Sequence, residues 1–273
     1  CIITLTKDLK VEISEGLVLD LASVDDIKKT IGDYICGAEA GSKKTIKVDG
    51  EISEGSTVMA DICTAFKNGS QEARINLDLS GVTGLSEIPE SAFKGCENLA
   101  NITLPDCLVD IGDEAFLNCK NLKYTEYSNG CYLGNAGNPY LAFMSSKGTE
   151  ITSIEINNAT KIIAASAFAC CNELEEINIP DNVVTIGAQS FYNCFALKSI
   201  TIPSSVTKIG FQAFYRMDED GNYFYLSVSF EDINGWHCFV YDDNGEEKET
   251  SLNVEDTDIF VSYYYYDWFK DVQ

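Results

Sequence analysis

Leu174-Glu175-Glu176-Ile177-Asn178-Ile179-Pro180-Asp181-Asn182-Val183-Val184-Thr185-Ile186-Gly187-Ala188-Gln189-Ser190-Phe191-Tyr192-Asn193-Cys194 decides the fold, because it recurs. Its second half returns as Ile111-Gly112-Asp113-Glu114-Ala115-Phe116-Leu117-Asn118-Cys119 and as Ile209-Gly210-Phe211-Gln212-Ala213-Phe214. Upstream, Ile88-Pro89-Glu90-Ser91-Ala92-Phe93-Lys94-Gly95-Cys96 and Ala165-Ser166-Ala167-Phe168-Ala169-Cys170-Cys171 fit the same frame. The phenylalanines at 93, 116, 168, 191 and 214 are spaced by 23, 52, 23 and 23 residues. The interval of 52 is two units of 23 with six residues inserted. A fixed period of this length marks stacked units that bury a core only against one another, a solenoid.

Each unit reads physically. Ile102-Thr103-Leu104-Pro105, Ile177-Asn178-Ile179-Pro180 and Ile200-Thr201-Ile202-Pro203 alternate inward and outward, as a short strand does. The proline lacks an N–H and ends the ladder. Val109 and Ile111 predict a second extended piece. Ala115, Phe116, Cys119 and Leu122, at i, i+1, i+4 and i+7, predict a helical turn with one apolar face. In the degenerate middle unit, Leu122, Thr125 and Tyr127 replace the apolar set, and Ile151, Ile154 and Ile156 restore the register. Between them, Cys131 to Tyr140 is rich in turn residues, so the inserted six are expected to bulge as a loop.

The ends depart from the period and divide the chain into residues 1–72, 73–216 and 217–273. Glu12-Ile13-Ser14-Glu15-Gly16 recurs as Glu51-Ile52-Ser53-Glu54-Gly55, each copy ahead of a helical pattern. Val24, Ile27, Ile31, Tyr34 and Ile35 make one apolar face, with Ser23 and Asp26 a candidate capping pair; Met59, Ile62, Cys63 and Phe66 make the other. Two β-α units over the first open coil follow. After Phe214, a last strand is expected at Tyr225, Leu226, Val228 and Phe230. A hairpin is expected between Phe239-Val240-Tyr241 and Ile259-Phe260-Val261 around Asn244-Gly245, with Tyr263 to Phe269 folding back on it.

Charge narrows the function classes. The formal net charge is −24 and the sequence pI about 4.2, so nucleic acid, anionic lipid and heparin-like polymers are repelled. Residues 217–273 hold 15 acidic and 2 basic side chains. Solubility explains them; an acidic docking face or weak divalent-ion surface is the sharper reading. His237 is the single histidine, which removes histidine-cluster metal sites, and its neighbour Cys238 points to the opposite strand face. Asp218-Glu219-Asp220-Gly221-Asn222 and Asp242-Asp243-Asn244-Gly245-Glu246 are candidate calcium turns, but neither has the EF-hand pattern, and acidic turns explain both. No Cys-x-x-Cys pair or phosphate loop is present. No catalytic residue, metal or cofactor is expected. No apolar run approaches the ~18 residues of a membrane span.

The unit pattern resembles the leucine-rich repeat of the BspA-like, Treponema pallidum type, over residues 75–215. Residues 174–194 carry it nearly whole through Leu174, Ile177, Ile179, Pro180, Val183, Ile186, Gly187, Phe191 and Cys194, with Ser190 where alanine is usual. The insertion Tyr132-Leu133-Gly134 to Asn138-Pro139-Tyr140-Leu141 and the Gly235-Trp236 segment also resemble such proteins. The expected fold class is therefore an α/β solenoid: a right-handed leucine-rich repeat solenoid with an N-terminal β-α cap and a C-terminal β-hairpin cap. The resemblance implies a secreted or surface-attached, non-enzymatic adhesion or interaction module, with no catalytic residue to transfer. Cys1 stands where a mature bacterial lipoprotein is acylated, although Ile2-Ile3-Thr4-Leu5 follows with no tether.

There are 11 cysteines, an odd number. Cys96, Cys119, Cys171 and Cys194 share one repeat position and are expected as a ladder of buried reduced thiols. The outward residues of the strand row are Asn101, Thr103, Tyr124, Glu126, Ser153, Glu155, Glu176, Asn178, Ser199 and Thr201. They form the candidate binding face, on the side where solenoids bind partners; solvated scaffold is the rival reading. Tyr124 with Glu126 and Glu155 suits a protein partner with a basic contact surface, met by a monomer. The alternative is a surface glycan stacked on Tyr132, Tyr140 or Tyr263 to Tyr266.

Overall fold

The structure is a computed structural model. It describes residues 2–5, 11–14, 16–53, 55–218, 220, 226–232, 234–241, 247–251 and 268–270, with the side chains of 2–5, 11–14, 237–241, 247–251 and 269 excepted. The chain forms two compact units.

The first unit spans Cys1–Leu108, Glu114–Tyr124 and Leu133–Gly137. It opens with the antiparallel pair β1 (Ile2–Leu5) and β2 (Val11–Ser14). There follow β3 (Gly16–Asp20), α1 (Ile27–Cys36), β4 (Lys43–Glu51), α2 (Val58–Asn68), β5 (Arg74–Thr83), β6 (Glu87–Ile88) and β7 (Leu99–Thr103). Strands β3, β4, β5 and β7 form one parallel sheet, and α1 and α2 make the crossovers that parallel pairing requires. The two expected β-α units are present. Asp26 alone caps α1: its carboxylate accepts from the Lys29 N–H at 2.8 Å, while the Ser23 hydroxyl donates to the Asp20 carbonyl and Val24 precedes the helix. Ile31 and Ile35, and Met59, Ile62, Cys63 and Phe66, are buried on the faces that their spacing predicts. Phe66 meets Phe93 edge-on at 5.5 Å, and Phe93 stacks on Phe116 at 5.7 Å.

The second unit spans Val109–Asp113, Thr125–Tyr132 and Asn138–Gln273. Its strands are β8 (Asp110–Ile111), β9 (Thr125–Tyr127), β10 (Gly130–Leu133), β11 (Ala142–Ser146), β12 (Ser153–Ile154), β13 (Ile162–Ile163), β14 (Glu176–Ile177), β15 (Thr185–Ile186), β16 (Ser199–Ile202), β17 (Lys208–Ile209), β18 (Ser227–Phe230), β19 (Trp236–Tyr241), β20 (Glu247–Ser251) and β21 (Trp268–Lys270). Successive coils pair in parallel along β11-β13-β15-β17, and their first strands pair as β12-β14 and β16-β18. The expected last strand is β18. Trp268 in β21 is buried, and β21 lies between β17 and β19, so this part of the tail does return to the coils. β19 pairs with β20 on one side and β21 on the other; the expected strand 259–261 lies outside the described residues, as do Tyr225, Tyr263 to Asp267 and the Asn244-Gly245 turn.

The unit's core is a ring stack. Phe143, Phe168, Phe191 and Phe214 lie face to face at 4.5, 5.0 and 5.6 Å. Phe143 fills the place that the interval of 52 left empty. The inserted residues are not a simple loop: β9 and β10 form an antiparallel hairpin through Ser128, whose φ is +50°. Gly130, Tyr132 and Leu133 are buried in it.

The expected helical turns do not form. In three of them, two residues four apart sit at positive φ: Glu114 and Asn118, Ser166 and Cys170, Gln189 and Asn193. That conformation cannot propagate a right-handed helix. The backbone donors divide instead. Gln189, Phe191 and Asn193 donate to Phe211, Ala213 and Tyr215 of the next coil, at 2.8 Å each, while Ser190, Tyr192 and Cys194 donate three residues back, to Gly187, Gln189 and Phe191. Coil-to-coil bonding therefore runs along the turn side as well as along the strands. The Ile-Gly step is steric: a Cβ on Gly187 would lie 2.5 Å from the Ala165 nitrogen, and on Gly210 2.4 Å from that of Ala188.

Ser190 is fully buried, and its hydroxyl has no hydrogen-bond partner among the described residues. Removing an unpaired buried hydroxyl relieves a desolvation penalty. Ser190→Ala is expected to raise stability by about 1 kcal/mol, read as a higher urea midpoint; a lower midpoint would show that the hydroxyl is bonded.

Candidate functional site

The candidate site comprises residues on or beside short strands: Ser153, Glu176, Ser199 and Thr201 lie on β12, β14 and β16, while Glu126 lies on β9, in the sheet of β10 and β11, and Tyr124 precedes it. Of the ten expected residues, Asn101, Thr103 and Tyr124 lie in the first unit and the other seven in the second.

In the first unit the row extends further than the period indicates. Asn101 is half-buried; its amide donates to Asn76 at 2.6 Å, and that of Asn76 reaches Thr45 at 3.5 Å. Thr103 pairs with Asp78, which pairs with Lys47. The non-repetitive strands β4 and β5 thus carry the same outward row as β7. Tyr124 is 36% exposed.

In the second unit Ser153 is in register with Glu176. Ser153, Glu155, Glu176 and Asn178, all exposed or half-exposed, line one open depression of about 500 Å3 with Ile154, Ile156, Ile177 and Asn158. Ile154 and Ile156 are buried beneath it and Ile177 is half-buried. Ser199 and Thr201 lie on β16, where Thr201 and Ser229 share a hydrogen bond at 3.1 Å. Glu126 pairs with Lys147 at 2.5 Å. The aromatic residue on Glu155 is Tyr127, whose hydroxyl donates to that carboxylate at 2.6 Å. This bond to a carboxylate, and then burial, push the phenol above its ordinary value. The sequence pattern hides this residue, because the ring fills the inward position, against Tyr140 at 5.5 Å and Tyr132 at 6.4 Å, while its hydroxyl reaches the face.

The glycan alternative loses its central platform. Tyr132 is fully buried, edge-on to Phe143 at 5.1 Å, and its hydroxyl accepts from the Asn157 N–H at 3.2 Å. Tyr140 is half-buried in the same cluster, 5.4 Å from Tyr132. Turn residues around these tyrosines suggest exposure, but the hairpin turns the rings inward. Tyr263 to Tyr266 lie outside the described residues.

Among the described residues no group of histidine, cysteine or acidic side chains is arranged to hold a metal. Asp218 accepts from the Asp220 N–H, an ordinary turn bond; Glu219, Gly221, Asn222 and the second acidic turn lie outside the described residues, and so do the side chains of His237 and Cys238. Among the described residues no helix is long and apolar enough to cross a membrane.

Cys96, Cys119, Cys171 and Cys194 are buried free thiols. Cys119 donates to the Phe93 carbonyl at 2.9 Å, and Cys194 to that of Phe168 at 3.1 Å. Burial pushes Cys96 up to about 11 and Cys119 and Cys194 up to about 12. A maleimide reagent on the native protein is expected to reach the exposed Cys36, Cys107 and Cys170 and to miss the ladder until the chain unfolds. A Cys171–Cys194 crosslink in a peptide map would contradict this. From roughly pH 9 to 12 the unfolded chain sheds thiol protons that the folded chain keeps, so stability falls as pH rises through that window.

The model of the BspA type leucine rich repeat region matches six copies over residues 64–137 and 139–243. Among solved structures, the leucine rich repeat protein of T. pallidum shares 26% identity over 53% of this chain and 55% of its own, with a TM-score of 0.25. A leucine rich cell surface protein from Faecalibacterium prausnitzii shares 20% over 77% and 54%, with a TM-score of 0.29. A leucine-rich repeat protein from Eubacterium ventriosum shares 20% over 83% and 68%, with a TM-score of 0.32. The chain spans about half the length of the first two. No curated protein sequence matches it.

Proposed function

The chain belongs to the BspA-type leucine-rich repeat family, and on that footing we propose that it is a non-enzymatic interaction module of the cell surface or extracellular space. It binds a protein partner with a basic contact surface through the outward strand row. The depression lined by Ser153, Glu155, Glu176 and Asn178 is the observation that carries this reading. It combines two carboxylates with an aliphatic floor, which suits the long stem and charged head of lysine or arginine. The net charge of −24 steers such a partner in.

Immobilised peptides graded in lysine and arginine content test the reading. Affinity is expected to rise with basic content and to fade toward several hundred millimolar salt, as exposed charges are screened. Glu155→Gln with Glu176→Gln is expected to weaken binding about tenfold at low salt, or about 1.4 kcal/mol. Tyr124→Ala is expected to cost more than Thr103→Ala in the same unit, since aromatic anchors dominate interfaces. Binding indifferent to salt and to both glutamates, yet lost on deleting residues 217–273, would move the site to the C-terminal region.

A further inference from the structure

Thr160 occupies the repeat position that holds Leu108, Val183 and Val206, at the same spacings of 52, 23 and 23 as the phenylalanines. All four side chains are fully buried, and each N–H closes the same turn, onto Pro105, Asn157, Pro180 or Pro203. Only Thr160 carries a hydroxyl there, and that hydroxyl has no hydrogen-bond partner among the described residues. Valine has the same shape without the desolvation penalty, so packing gives no reason for threonine. Chain position gives one: Asn158-Ala159-Thr160 is an N-glycosylation acceptor triplet, in which the hydroxyl two residues on is required. Asn158 is exposed at the turn apex and its side-chain amide makes no hydrogen bond among the described residues. Of the other two triplets, Asn101-Ile102-Thr103 has its amide committed to Asn76, and Asn68-Gly69-Ser70 begins on the last residue of α2.

We propose that Asn158 is the acceptor of an N-linked glycan, a modification that rests on the surface reading above. Before this coil folds, while the Thr160 hydroxyl is still accessible, the Asn158 Nδ2 would attack the anomeric carbon of a lipid-pyrophosphate-linked sugar. The N–C bond forms, the C–O bond to phosphate breaks, the lipid pyrophosphate leaves and the amide loses one proton; nothing is oxidised or reduced. Because Asn158 lines the depression, the glycan stands at its rim and limits the partner to side chains entering past it.

The test uses protein recovered from the cells that make it. Enzymatic release of glycans in heavy-oxygen water converts a modified asparagine to a labelled aspartate, and peptide sequencing is expected to find the label at position 158. Thr160→Val is expected to abolish the label without lowering the thermal midpoint, and Asn158→Gln to abolish it with the fold intact. An unlabelled position 158, or a Thr160→Val variant that loses stability, overturns the proposal. Amine labelling of intact cells with an impermeant reagent separates the two readings. A surface-labelled protein with Asn158 unmodified sinks only the glycan, whereas a protein that is not surface-labelled sinks the surface reading as well.

Discussion

Phe168→Ala is expected to lower stability by about 3–5 kcal/mol, the range for deleting a buried aromatic ring. Phe168 is fully buried, with Phe143 stacked at 4.5 Å on one face and Phe191 at 5.0 Å on the other. Truncation leaves a void between two rings held by the coil backbones, which cannot close around it, and it also removes two stacking contacts. Phe116→Ala in the first unit is expected to fall lower in the same range, since Phe116 is 7% exposed and its stacking contact is with Phe93 alone among the described residues. Total stability of ordinary domains is about 5–15 kcal/mol, so the Phe168 variant should melt far below the parent in a calorimetric scan. A loss under about 1 kcal/mol, well below that range, would mean that the ring is not shared between coils.

Gly187→Ala should be nearly as damaging, for the opposite reason. The added methyl would meet the Ala165 nitrogen at 2.5 Å and the Ala164 carbonyl carbon at 2.7 Å, both backbone atoms that cannot rotate away. Relief requires one coil to move off its neighbour, breaking the Gly187 N–H bond to Ile163 at 2.8 Å. Overpacking usually costs 1–3 kcal/mol, and a backbone clash belongs at the top, about 3 kcal/mol. Gly148→Ala is the control: a methyl there would have no atom within 4 Å, and the change should stay within about 0.5 kcal/mol. Equal chemical-denaturation midpoints for the two variants would refute the close-approach account.

Period and core were legible because Phe93, Phe116, Phe168, Phe191 and Phe214 repeat at a spacing that only stacking explains. Phe143 was not, since it precedes Phe168 by 25 residues and so falls outside the frame. The helical turns were misread because i, i+1, i+4 and i+7 describe a helix face and a run of tight turns equally well. What separates them is positive φ at Glu114, Gln189 and Asn193, which no glycine signals. In the outward row, strand alternation made the exposure of Ser153, Glu176, Ser199 and Thr201 legible, whereas Tyr124 lies in no strand and Glu126 lies on β9, in the sheet of β10 and β11. The convergence of four of its members on one depression depends on how β12 and β14 pair, and Tyr127 serves core and surface together, which a binary apolar pattern cannot express.

The two rows of backbone bonds between coils have a mechanical consequence. Phe191, for example, is tied to the coil after it on the turn side, and Gly187 to the coil before it on the strand side. Drawn out from one end, a terminal coil detaches by peeling, each bond loaded after the last, while the coils behind keep both rows. Each regular coil that detaches releases 23 residues, or roughly 80 Å of contour at full extension. Stacked coils bonded in this way yield coil by coil under load, dissipating work with each step rather than failing at once.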